Sequence, residues 1–197
     1  MSGVELAWET PREWGAVASR QPIELLNDHA HCELQAAVAC QSLIARYPDR
    51  PRLVDAAAEV AQEELVHFQR VVGLMRELGG ELTDGGPNPY AEGIRKGSGP
   101  TRKHGLLDRL LVAALIERRS CERFELLAAH SEHPDLQRLY EELAPEEIRH
   151  QALFFELACH EVGSDEAHAR MAQLVAIEAE VIAKLEFQPR MHSGAPA

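Results

Sequence analysis

Aromatic residues make up only 5% of this 197-residue chain, and runs alternating Val, Ile and Thr with polar residues are nearly absent. That scarcity argues against a sheet. Cysteine is sparse as well. Cys32, Cys40, Cys121 and Cys159 include no Cys-x-x-Cys pair, which speaks against a disulfide framework and a rubredoxin-type iron site and fits a reduced, cytoplasmic setting. No apolar run approaches a membrane span, and Met1 to Pro11 lacks the basic-then-apolar order of a secretory signal. Basic residues are the last shortage: 20 Lys and Arg stand against 32 Asp and Glu, for a formal charge of −12. That balance opposes simple nucleic-acid binding, so any polyanion needs a local basic patch.

What is present is apolar and helical. Hydrophobic residues make up 45% of the chain, enough for a single domain over residues 1–197 with a substantial core. Apolar stripes at helical spacing predict helices over about 22–46, 52–78, 106–131 and 136–161. Tyr47-Pro48-Asp49-Arg50-Pro51 and Glu132-His133-Pro134-Asp135 separate the members of each pair, and Gly79-Gly80 ends the second helix. After Gly163, Ser164 can cap a fifth helix to about 187, whose stripe needs the bundle or another subunit to cover it. Residues 1–20, with Trp8 and Trp14, are expected to pack irregularly over one end, and the tail from Gln188 to fray. Residues 79–105 hold eight of the 13 glycines and three prolines, so a long non-periodic crossover joins helices two and three. That connection marks a ferritin-like four-helix bundle rather than an up-down one. The expected fold is all-α: such a bundle over about 22–161, with an additional C-terminal helix.

Glu-x-x-His occurs twice, as Glu64-Leu65-Val66-His67 and Glu147-Ile148-Arg149-His150. With 25 Glu and 10 His in the chain, chance alone gives about one copy, so the count means little. Register means more. Glu33 precedes Glu64 by 31 residues and His67 by 34; Glu117 precedes Glu147 by 30 and His150 by 33. Each half then folds as helix, turn and returning helix with its ligands level. All four glutamates sit in apolar stripes, where an unpaired charge is costly. Taken singly, each is an ordinary surface glutamate bordering apolar residues; six in matched register are the set a bundle uses to hold two metal ions. Glu63, Glu122 and Glu146 fit that register worse and are not expected among the ligands.

Carboxylate-rich coordination suits iron, with manganese the alternative, and two ferrous ions together can give dioxygen two electrons. Cys121, one turn past Glu117, is a small buried hydrophobe or a pocket residue. His29, one turn before Glu33, is a partner of that ligand or a surface group. Tyr47, Tyr90 and Tyr140 are placed away from the ligand level, which disfavours a radical-generating subunit. Arg95, Lys96, Arg102 and Lys103 make 93–105 locally basic, either as a phosphate-binding loop or as solvated charge.

Four segments resemble the bacterial tRNA 2-methylthio-isopentenyladenosine hydroxylases, a family of ferritin-like di-iron proteins. They are Asp28-His29-Ala30-His31-Cys32-Glu33-Leu34-Gln35-Ala36, Glu63-Glu64-Leu65-Val66-His67-Phe68, Ile116-Glu117-Arg118-Arg119-Ser120-Cys121-Glu122-Arg123-Phe124 and Glu147-Ile148-Arg149-His150. The similarity spans about residues 22–187. The metal motifs are common to the superfamily, whereas the Arg-Ser-Cys-Glu-Arg-Phe run and the glycine-rich basic crossover are more specific. The family more commonly has alanine where Ile148 stands, a departure that touches packing rather than ligation. The resemblance implies a di-iron monooxygenase that hydroxylates the isopentenyl group of a modified adenosine in tRNA. Dioxygen and an external electron donor, such as a ferredoxin or reductase, would supply the oxidant and electrons. Glu33, Glu64, His67, Glu117, Glu147 and His150 match the family's iron ligands. A monomer or small oligomer with no membrane partner is expected. The competing readings are peroxide handling, small-molecule or acyl oxidation, iron storage in a shell, and a metal-free interaction protein.

Overall fold

Three of the four long helices open on a proline, Pro22, Pro51 and Pro134. There its fixed φ suits the helix and its missing N–H has no partner to lose. A computed structural model describes residues 4–99 and 105–196. Its helices are α1 (Glu13–Ala18), α2 (Pro22–Arg46), α3 (Pro51–Glu77), α4 (Pro89–Gly97), α5 (Gly105–His130), α6 (Pro134–Val162) and α7 (Ser164–Ile182). No strand occurs among the described residues. The all-α expectation holds, and the four long helices fall within two residues of their predicted limits.

α2 with α3 and α5 with α6 form two tightly packed hairpins, whose backbones approach mainly through α3 and α6, while α2 and α5 meet through side chains such as His29 and Phe124. Two apolar clusters divide the interior. One gathers Leu43, Leu53, Ala57, Leu111, Ala114 and Phe154. The other gathers Leu26, Val71, Met75, Phe124, Leu127 and Leu143. Each such Leu or Phe contributes roughly 1.5–3 kcal/mol by leaving water. The buried glutamates and histidines at positions 33, 64, 67, 117, 147 and 150 come between these stretches in sequence on all four helices. The apolar packing on either side therefore holds a polar layer that could not hold itself.

Three expectations need correction. The N-terminal segment runs along α5 rather than over one end. Arg118 donates to the Val4 carbonyl, Thr10 binds Glu122, and Gly15 packs so tightly on Leu126 that a Cβ would lie 2.4 Å from its carbonyl oxygen. The crossover is not wholly irregular. Asn88 caps α4 by accepting from the Ala91 amide at 3.0 Å, and α4 settles on α7, where Cβ atoms at Gly93 and Gly97 would meet Val181 and Ile177 at 2.7 and 2.5 Å. Its glycines, read as loop residues, are there for close helix contact. Finally, α7 stops at Ile182 instead of near 187, and the tail turns back into the protein, burying Met191, His192 and Ser193.

α7 is covered by the bundle itself. Arg170 binds Asp108 through two contacts of 2.7 and 2.9 Å, and Arg119 binds Glu178 at 2.8 and 3.0 Å. The Tyr90 hydroxyl also reaches Glu178 at 2.9 Å. α4, α5 and α7 thus meet at one buried, fully bonded charge pair.

Candidate metal centre

The two Glu-x-x-His copies lie on α3 and α6, where i, i+3 spacing stacks both side chains on one face. Facing each other across the bundle, they exchange contacts. His67 Nδ1 is 3.5 Å from Glu64 and 3.1 Å from Glu147, and His150 Nδ1 is 2.9 Å from Glu64 and 3.4 Å from Glu147. Glu33 on α2 comes within 3.8 Å of His67 Nδ1, and Glu117 on α5 adjoins Glu147, whose charge helps to raise its pKa. Glu33, Glu64, His67 and Glu147 offer ligand atoms all within 4.8 Å of one another. His150 and Glu117 adjoin that group. All six predicted side chains are buried and brought to one place.

The electrostatics describe a cluster short of positive charge. Burial raises Glu33 and Glu117 above the usual carboxylate range, and it lifts Glu64 to about 8, with Glu147 beside it adding to the rise. Burial opposes charge on the imidazoles too, but the carboxylates outweigh it. His150 is lifted to about 10, and His67 is raised further. Although burial pushes Glu147 upward, the imidazoles of His150 and His67 beside it hold it well below its ordinary value. Both oxygens of Glu64, both of Glu147, and the Nδ1 atoms of His67 and His150 are buried without a well-aligned hydrogen bond. Such atoms are rarely left unsatisfied. Convergent oxygens and imidazole nitrogens with idle lone pairs fit divalent cations, which would take the place of the protons now shared among them.

Two residues set aside as ligands brace the site from outside. Glu63 accepts from His150 Nε2 at 2.8 Å and Glu146 from His67 Nε2 at 3.1 Å. Each is steadied by an arginine, Arg149 at 2.9 Å from Glu63 and Arg70 at 3.6 Å from Glu146. Each His therefore turns Nδ1 inward and holds Nε2 against a carboxylate of the opposite hairpin, which fixes tautomer and ring direction. The signal was in the sequence: both motifs read Glu-Glu-x-x-His. Glu122 is no ligand neighbour; it binds Thr10 and Arg119.

His29 takes the partner role. Its Nε2 lies against Glu33 and its Nδ1 receives the Tyr140 hydroxyl at 3.3 Å. Burial pulls its pKa down to about 4, so it is neutral near pH 7. Tyr140 is therefore one imidazole away from Glu33, closer than the sequence suggested. Cys121 is fully buried, its thiol pushed up to about 12 by burial and then by Glu147. It is Cys32 that borders a cavity. Of the four basic crossover residues, Arg95 and Lys96 are exposed on the last turn of α4, with Lys96 paired to Glu92 at 2.8 Å. Arg102 and Lys103 lie outside the described residues.

Residues 4–193 match the family described as tRNA-(MS2IO6A)-hydroxylase (MiaE). The chain belongs to this family. Two relatives are named tRNA 2-(methylsulfanyl)-N(6)-isopentenyladenosine(37) hydroxylase. The one from Pseudomonas putida is 38% identical over 97% of this chain and 93% of its own length. The one from Salmonella typhimurium is 28% identical over 95% and 87%. A solved structure, a Synechococcus protein with aldehyde deformylating oxygenase activity, superposes with a TM-score of 0.89 at 36% identity, covering 96% of both chains. This chain is thus a ferritin-like helical protein, and a buried Glu/His cluster forms a candidate metal site in it. No helix among the described residues is long and apolar enough to cross a membrane.

Proposed function

We propose that this protein hydroxylates the isopentenyl side chain of a modified adenosine in tRNA, at two iron ions held by Glu33, Glu64, His67, Glu117, Glu147 and His150. The observation that carries the reading is the convergence of these six buried side chains in a member of the hydroxylase family. When bound, the iron pair would supply the two-electron reduction of dioxygen that no side chain provides. An external donor replaces the electrons, and cytoplasmic tRNA is the substrate pool. Carboxylate-rich ligation favours iron over zinc.

The remaining work belongs to the chain. Glu63 and Glu146 hold the imidazoles by Nε2, and His29 holds Glu33. The two apolar clusters keep water from the layer between them. Replacing Glu63 and Glu146 together by alanine should weaken metal binding about 10–100-fold, as loss of such outer partners does elsewhere. Competition with a chelator measures this, and an unchanged affinity would mean that the carboxylates only decorate the surface.

The deciding experiment incubates iron-loaded protein, a reductant and dioxygen with isopentenylated tRNA, then weighs the digested nucleosides. One added oxygen on the isopentenyl adenosine is expected. The Synechococcus likeness supports a second reading, removal of the formyl group of an aldehyde at the same centre. An aliphatic aldehyde in a parallel incubation tests it. Shortening of the aldehyde with an unchanged nucleoside would replace the first reading by the second.

A further inference from the structure

The polar layer is sealed unevenly. Glu64, His67, Glu147 and His150 keep 0–1% exposure, while Glu33 keeps 5% and Glu117 7%. The two less sealed ligands stand on α2 and α5, whose backbones leave a seam between them. What closes the seam is the returning tail. His192 stands in it, with Nδ1 3.8 Å from Cys32 Sγ on α2 and Nε2 3.3 Å from Ser120 Oγ on α5. Cys32 adjoins Glu33 in the chain, and Ser120 lies one turn past Glu117. Outside this plug is a cavity of about 290 Å³, bordered by Cys32, His192, Leu185, Lys184 and Arg190. A second, of about 390 Å³, adjoins it, and Asp28, Gln188 and Arg190 border both.

We propose that this seam is the substrate site. The purine of the target nucleotide takes the place of His192, and its apolar N6 substituent passes between Cys32 and Ser120 to the metals. The inference rests on the hydroxylase reading above. The His192 ring lies flat on Tyr90, centroids 4.6 Å apart and planes 5° from parallel. A face that holds an imidazole in this way also suits a nucleobase, since unstacked bases are characteristically bound on aromatic rings. The imidazole is buried and neutral, so exchanging it for a neutral base moves no charge. Lys184 at the rim suits a flanking phosphate. The stopper is held by polar contacts at its edges: the Met191 amide on Asp28 at 2.8 Å, Arg190 on the Pro87 carbonyl at 2.9 Å, Arg123 on the Ser193 carbonyl at 2.9 Å, and Trp14 on the Ser193 hydroxyl at 3.4 Å.

His192→Cys places a second thiol beside Cys32, and mild oxidation should join them and pin the tail in the seam. Mass mapping of the peptides establishes the bond. The probe is an RNA hairpin with N6-isopentenyladenosine in its loop, added to cobalt(II)-loaded protein, whose visible bands report groups arriving at the metals. The reduced variant should show a band shift with this hairpin and none with a plain adenosine hairpin. The oxidised variant should still bind the hairpin, by fluorescence anisotropy, but lose the shift and regain it on reduction. Cys32→Leu, which fills the seam without a crosslink, should bind the hairpin yet hydroxylate it about a hundredfold more slowly, as misplacement by about 1 Å does. A shift that survives the crosslink, or full activity in Cys32→Leu, overturns the route and leaves the hydroxylase standing. Neither shift nor hydroxylation in unlocked protein overturns the hydroxylase reading and the route with it.

Discussion

Glu117→Ala protein should lose metal and all measurable hydroxylation, yet its metal-free form should melt no lower than the metal-free parent. The two halves of that result have different causes. Glu117 is buried against Glu147, Glu64 and Glu33, and burial followed by these neighbouring charges raises its pKa well above the usual range. Without metal, it is an acid held where its charged form is disfavoured. Removing an acid crowded by three other carboxylates relieves that crowding, and a gain of about 1 kcal/mol would raise the midpoint of a chain this long by about 2–4 °C. With metal, the same carboxylate is a ligand, and its loss should cut metal content from two ions per chain to one or none. Calorimetry of metal-free protein and metal analysis of loaded protein read the two effects separately. A drop of many degrees in the metal-free melt, with metal retained, would make Glu117 a structural residue and remove it from the site.

That opposition between stability and function also explains what could be read from the sequence. The long helices were legible because their apolar stripes and proline starts are local signals. The six-residue layer was legible because a ligand set imposes a register on two halves of a chain, and register survives without a structure. The bracing carboxylates were passed over because Glu63 and Glu146 fit the ligand register worse. Their partners, His150 and His67, belong to the opposite hairpin. Tyr140 was misplaced for the same reason: its link to Glu33 runs through His29 on another helix. α4 was hidden by its glycines, which read as loop until Val181 and Ile177 are seen to need the space. The tail carries no periodic signal at all. Its burial depends on a gap between α2 and α5 that only the assembled bundle creates.

Metal-free protein should lose stability as pH rises from about 7 to 9, whereas metal-loaded protein should not. His150 titrates near 10 in the folded chain against 6.5 unfolded, and His67 is raised as well. Above pH 6.5 the folded state therefore holds protons that the unfolded state has released, so stability falls with pH. Glu64, near 8 against 4.5, acts with the same sign up to about pH 8. Below pH 6.5 the sign reverses in part, because His29 and His192 are held neutral by burial, near 4 and 3. The unfolded chain then binds protons that these two refuse, but the raised Glu33, Glu64 and Glu117 hold protons in the folded state that offset them. Metal-free stability should accordingly change little between about pH 4.5 and 6.5 and fall above that. Bound metal takes the place of the protons on Glu64, His67 and His150, which removes their titration from the alkaline limb and leaves the acid limb of His29 and His192. The gap between the two melting curves should widen steadily from pH 7 to 9, and loading metal at pH 7 in weak buffer should release protons. Parallel curves over that range, with no proton release, would show that the imidazoles and carboxylates of the layer do not hold the metal.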